Sequence, residues 1–320
     1  VMAGVRNDTE AVGYDAVLLI GFGGPEKAEE IEPFLHNVAR GRPIPRERLR
    51  EVAHHYEVVG GKSPLNELTR RQARALEAEL IRRGLELPVY IGMRNWHPFL
   101  ADSVRRMEAE GVRRVVGVIL SAYQCHSSWD RYKEDVALAV EEAGAGIEVV
   151  YADPVYDHPA FIEAVASKVE ERLRCVPGDE WEATRLLFTA HSIPLGMASS
   201  SPYVEQLRHS SARVAERVGF DAWTLCYQSR SGPPDEPWLE PDVCDLIRSL
   251  ASRGVRYVVV EPIGFLCDHV EVLYDLGIEA AQVADECGVR LLRAETVNDD
   301  RRFICALADR VESAMGRRRV

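Results

Sequence analysis

The sequence is short of the features that mark specialised protein classes. No apolar run reaches about 18 residues and the start carries no signal-peptide pattern, so neither a membrane-spanning helix nor a secretory leader is expected. Basic residues are outnumbered 39 to 51, for a net charge of −12. That deficit excludes a general nucleic-acid binder, which needs positive surface to meet phosphates. Clusters such as Arg113-Arg114 and Arg317-Arg318-Arg319 are too short to change this and read as solvated. The seven cysteines (125, 175, 226, 244, 267, 287 and 305) are scattered singly with no C-x-x-C pair. An odd number without a framework excludes a disulfide scaffold and predicts reduced thiols in a cytoplasmic protein. There is no G-x-S-x-G elbow, so a serine-hydrolase reading of Ser192 finds no support. Gly21-Phe22-Gly23-Gly24-Pro25 fails the dinucleotide pattern because Glu26 stands where the third glycine belongs, and no Walker lysine motif exists.

What is present is regular. At 320 residues the chain has room for two domains. Strand patterns fall at 15–22, 88–93, 114–121, 147–152, 185–190, 222–228, 255–262 and 289–293. Amphipathic helices lie between them, clearest at 64–84, 98–110, 130–143, 158–174, 203–217, 241–253 and 298–314. This alternation predicts an α/β fold of two similar Rossmann-like domains, each a four-stranded parallel sheet flanked by helices. Residues 1–12 read as a loose, disordered leader, 13–153 as the first domain and 154–297 as the second. The terminal helix, 298–316, is expected to pack back on the first.

The halves correspond in detail. The first strand of each ends in a similar break, Gly21 to Pro25 in one and Ala190-His191-Ser192-Ile193-Pro194 in the other. The third strand of each runs into a polar helix start, Ser121 to Tyr132 and Gly264 to Glu271. Ligands of open α/β sheets gather at strand carboxyl ends, so these loops face one cleft. Phe22, Tyr56, Trp96, Tyr123, Trp129, Tyr132, Tyr227 and Trp238 fall in the same loops, which suits a large planar ligand.

One stretch carries the chemistry. Tyr257 to Glu261 is a β-branched strand, Pro262-Ile263-Gly264 ends it, and Asp268 is placed to cap the helix that follows. Glu271, Asp275 and Glu279 then recur every fourth residue, stacking on one helix face over about 12 Å at roughly 1.5 Å per residue. On spacing alone this is a solvated acidic face. Its start at a strand's carboxyl end points instead to a path for a hard cation or for protons. His191, at a neighbouring strand end, faces the same region, and a histidine beside a carboxylate is a natural proton acceptor.

Taken together, LLIGFGGP, YEVVGGKSPLNELT, YIGMRNWHPF, FTAHSIP, CYQSRSGPPDEPWLEPDV and EPIGFLCDHVEVLYDLGIE resemble the ferrochelatase family, over about Asp15 to Val311. The closest likeness is to the actinobacterial and Gram-positive branch that acts on coproporphyrin III. The resemblance implies that His191 and Glu271 are the catalytic pair. It also implies that they share metal contacts with Asp275 and Glu279, which continue along an interrupted, π-type helix. It gives Phe22, Tyr56, Ser63, Arg94, Tyr123, Ser128, Tyr132 and Tyr227 as the substrate-binding set. Phe22 stands where the family often has tyrosine, and so brings no oxygen ligand. Tyr227 replaces a common tryptophan. Two arginines of the branch are Ala39 and His55 here, with Arg40 or Arg42 as neighbouring substitutes. Where some members bind a [2Fe–2S] cluster this chain has Trp129 and an Arg-rich end, so no cluster and no other prosthetic group is expected; ferrous iron is a substrate. The partners implied are coproporphyrin III and ferrous iron, with transient contact to the preceding oxidase or following coproheme decarboxylase, by a cytoplasmic monomer. Competing readings are a protoporphyrin IX ferrochelatase, a chelatase for another divalent metal and tetrapyrrole, and a tetrapyrrole carrier without turnover.

Overall fold

The computed structural model describes residues 13–40, 45–233 and 235–317. The predicted leader, 1–12, lies outside them, as does Arg42. The element order is β1 (Ala16–Gly21), α1 (Ile31–Ala39), α2 (Arg46–Val58), α3 (Leu65–Arg82), β2 (Val89–Met93), α4 (Leu100–Ala109) and β3 (Arg114–Ile119). A π-helical turn, His126–Asp130, then leads into α5 (Arg131–Glu142), β4 (Glu148–Tyr151) and α6 (Pro159–Leu173). The second half, which α6 opens, continues with β5 (Thr184–His191), α7 (Leu195–Ser199), α8 (Tyr203–Val218), β6 (Trp223–Gln228), α9 (Val243–Ala251) and β7 (Tyr257–Glu261). It closes with a π-helix (Val272–Glu279), α10 (Ala280–Glu286), β8 (Arg290–Arg293) and α11 (Arg301–Ala314).

The two sheets share one topology, β2-β1-β3-β4 and β6-β5-β7-β8, with every pair parallel. Parallel strands need both faces covered, which is why runs such as Ala16-Val17-Leu18-Leu19-Ile20 are buried without alternation. The inner faces meet in one core. Val17 and Leu19 of β1, Leu186 and Phe188 of β5, and Phe161 and Phe303 from α6 and α11 belong to the same buried cluster. Separate clusters cover the outer face of each sheet.

The eight strands fall where expected. Helices α1 and α2 are additions that the sequence did not announce. Asp268 does not cap a helix: its carboxylate is held by Arg293 at 2.6 Å and by Asn298 Nδ2 at 2.9 Å. Helix α11 packs on α3 of the first half and α6 of the second. There Arg83, at the end of α3, binds Glu79, Asp309 and Glu312.

Candidate active site

The site forms where β5, β6 and β7 end. The loop leaving β7 is drawn onto β5 at Gly264, whose N–H donates to the Thr189 carbonyl at 2.9 Å. A Cβ there would lie 2.6 Å from Ala190 Cα, so glycine is what allows the approach. This seats Glu271 beside His191. The two side chains are 4.0 Å apart, Nε2 to Oε1, and both are partly open to solvent.

The histidine's tautomer follows from its other nitrogen. Nδ1 lies 2.5 Å from the Ser192 carbonyl, and a carbonyl only accepts, so Nδ1 carries the hydrogen. In the neutral ring this leaves the lone pair on Nε2, the nitrogen that faces Glu271. Ser192 is no nucleophile: its hydroxyl donates to the Leu239 carbonyl. Tyr203 braces the strand end by donating to the His191 carbonyl at 3.0 Å.

Behind Glu271 the chain winds as a π-helix through Glu279. Glu271 stands at its N-cap, Asp275 within it and Glu279 at its last residue. Asp275 is buried. It accepts from Ser229 Oγ and lies 3.5 Å from Gln228 Nε2. Burial, reinforced by the nearby Glu271 charge, pushes its carboxyl up to about 7. Glu279 is also raised, by burial and then by Asp242 and Glu51. Among the described residues no cation forms an ion pair with either carboxyl.

A family model for ferrochelatase matches residues 14–315. The chain belongs to the ferrochelatase family. It is 42% identical to the ferrochelatase of Rhodopirellula baltica over 97% of this chain and 88% of the relative. It is 45% identical to the coproporphyrin III ferrochelatase of Mycolicibacterium vanbaalenii over 94% of this chain and 90% of the relative. Among solved structures, SirB from Bacillus subtilis with Fe3+ aligns with a TM-score of 0.60 at 13% identity, covering 95% of this chain and 96% of that one, and supports the chelatase fold.

In this ferrochelatase the first half supplies an apolar wall. Phe22 is 38% exposed and packs edge-on against Phe34, which in turn meets Tyr56 and Trp96. Helix α2 spans from this wall to the acidic helix: Tyr56 joins the aromatic cluster, while His55 stacks on Tyr274 with centroids 3.7 Å apart. Burial raises the Tyr56 phenol well beyond its usual range, with Glu271 adding to the effect. Burial also lowers His55.

The remaining predicted residues are placed unevenly. Arg94 pairs with Asp135 and sits 5.6 Å over the buried ring of Tyr132. With Arg40, Arg105 and Arg131 it borders a cavity of about 750 Å³ between the end of β2, α4 and α5. Met197, from α7 in the second half, closes one side. Tyr123 and Tyr227 are enclosed in the central core, and Ser63 is buried under Gly24 with its hydroxyl accepting from Leu65 N–H. The Ser128 hydroxyl donates to the Tyr123 carbonyl and accepts from Cys125 N–H, so it shapes the π-helical turn. Sequence reasoning passed over Gln228, Ser229 and His269. Burial depresses the His269 imidazole, whose ring packs edge-on against Phe265 at 4.7 Å.

Proposed function

We propose that this ferrochelatase inserts ferrous iron into coproporphyrin III to give coproheme, with His191 and Glu271 as its catalytic pair. The observation that carries the reading is His191 Nε2 facing Glu271 at 4.0 Å, at the head of the acidic π-helix. Iron(II) displaces two pyrrole protons. His191 Nε2 takes each in turn as a general base, and the adjacent carboxylate favours the imidazolium. Glu271, half exposed, passes the proton to solvent. Glu271, Asp275 and Glu279 give hard oxygen contacts to the cation on its way in. A flat ring shields its nitrogens, so binding energy from the aromatic wall is used to bend it toward the metal.

The tetrapropionate is favoured over protoporphyrin IX because cationic groups border the first half. Arg40 and Arg94 share a cavity with Arg105 and Arg131, against Asp102, Asp135 and Glu142. Arginine recognises carboxylates through a fixed pair of donors. The relatives named for coproporphyrin III support the same choice. Phe22 packs against the ring face. The catalytic pair and the acidic ladder come from one chain, in keeping with a monomer. No described helix is long and apolar enough to cross a membrane, in keeping with a cytoplasmic enzyme. An anaerobic assay with iron(II) tests the substrate: we expect a higher kcat/KM for coproporphyrin III. A higher value for protoporphyrin IX would reverse the assignment, and no turnover with either would leave a carrier.

The same reading includes no iron–sulfur cluster. Burial pushes the Cys244 and Cys267 thiols up to about 12 and Cys226 higher still, opposing the thiolate that ligation needs. Anaerobically purified protein should be colourless. A brown protein with acid-labile sulfide would show otherwise.

A further inference from the structure

The carboxyl end of β6 presents two polar residues to the acidic helix. Gln228 pairs with His191 in the β5–β6 ladder, so both project from the same sheet face. Its side chain is buried. Nε2 donates to the Glu271 carbonyl at 3.3 Å and reaches Asp275 Oδ2 at 3.5 Å. The opposite amide orientation would set two acceptors against each other, which fixes Oε1 on the other side. There Oε1 is buried and has no hydrogen-bond partner among the described residues. Ser229, the next residue, has a left-handed backbone with φ of 61° and donates Oγ to the same Asp275 oxygen.

Two of these facts are costly by themselves. A non-glycine residue in the left-handed region persists only where its surroundings demand it, and such strain gathers at functional sites. A buried amide oxygen without a donor loses its solvation with nothing in return. Thr189 Oγ1, on the same sheet face two residues before His191, is likewise buried and unpartnered. A hydrophobic residue at 228 would fill the space without the orphan acceptor. What glutamine adds is a donor to the helix on one side and a neutral acceptor on the other.

We infer that Gln228 and Ser229 are positioning residues that clamp the π-helix at its first two carboxylates. By holding the Glu271 carbonyl and the Asp275 carboxyl at once, the pair sets the spacing of the two acidic residues that the incoming iron(II) meets. The inference rests on the iron-insertion reading above and deepens it.

Gln228→Met and Ser229→Gly separate the parts. The first keeps volume and removes both amide functions; the second keeps the left-handed backbone and removes Oγ. In Gln228→Met we expect amide hydrogen exchange across 272–279 to quicken about tenfold. The KM for iron(II) should rise about tenfold, with the coproporphyrin III Kd, from fluorescence quenching, within about twofold of wild type. Ser229→Gly should quicken exchange over the same residues about threefold. Exchange and iron(II) KM both at wild-type values in Gln228→Met would overturn the inference. So would equal losses of kcat and porphyrin affinity with the iron(II) KM unmoved, the signature of a merely structural residue. If the wild-type protein inserts no iron, the functional reading fails and the iron(II) part of this inference with it. The exchange measurement then still decides the clamp.

Discussion

The two halves of the molecule are the same scaffold put to different ends. In each, the residue following the strand at the sheet edge reaches a carboxylate on the helix that follows the third strand. In the first half that pair is Arg94 with Asp135, a cation with an anion. In the second it is Ser229 with Asp275, a neutral hydroxyl with a buried carboxyl pushed up to about 7. The π-helical segments differ in the same sense. His126–Asp130 is short and capped by Cys125 and Ser128, whereas Val272–Glu279 is longer and lies between Glu271 and Glu279. The first half pairs the charge at this point and offers walls; the second leaves Asp275 and Glu279 without a cationic partner among the described residues. Chemistry resides in a few side chains at strand ends and not in the topology, which is identical.

The hardest test of this division is His191→Ala. Because the aromatic wall belongs to the other half, coproporphyrin III should bind within about twofold of wild type while kcat falls by about 10²–10⁴. Stopped-flow insertion and equilibrium fluorescence separate the two. Loss of binding together with turnover would erase the division of labour.

Asp275→Asn sharpens the comparison thermodynamically. The folded protein holds the Asp275 proton to about pH 7, whereas the unfolded chain releases it near the ordinary value of about 3.9. Its contribution to stability is therefore full at low pH and is lost as pH rises through about 7. Asparagine does not titrate. In metal-free denaturant titrations the variant should gain on wild type by about 2–3 kcal/mol between pH 5 and pH 8. A pH-independent difference would mean that Asp275 is not held as a neutral acid.

The smallest effect is expected at Arg94→Met, on the balanced side. It removes the positive charge above Tyr132 while Asp135 keeps Arg131 at 4.0 Å. Coproporphyrin III binding should weaken about tenfold, or about 1.4 kcal/mol, with kcat within about twofold. A kcat effect larger than the binding effect would place Arg94 in the chemistry.

The sheets were legible because central parallel strands buried on both faces are written as long apolar runs, such as those of β3 and β7. Helix α2 was not, because Arg46–Val58 is mostly charged and has no fully buried residue. Its apolar positions are spent on the aromatic cluster of the first half, and His55 on the stack with Tyr274, a contact that exists only once the halves meet. The same reason separates the site residues. His191, Glu271 and the acidic repeat are marked by their place at strand ends and by spacing. Gln228 and Ser229 matter through ladder register, and an exchange of one step along β6 would turn Gln228 to the opposite face. Loop residues are harder still, since nothing in the sequence says that Tyr123 turns inward while Phe22 turns out.

Helix α11 has a mechanical consequence. It lies across both halves, with Arg83 and Tyr14 of the first bound to its Glu312 and to its Ala314 carbonyl, and Ser167 of the second accepting from its Arg302. Substrate-binding proteins built from two similar α/β lobes often admit their ligands by swinging the lobes about a hinge. A beam bolted to both lobes and sharing their common core removes that freedom. Any opening of the cleft then falls to local elements such as α2, which meets the acidic helix through the His55–Tyr274 ring stack.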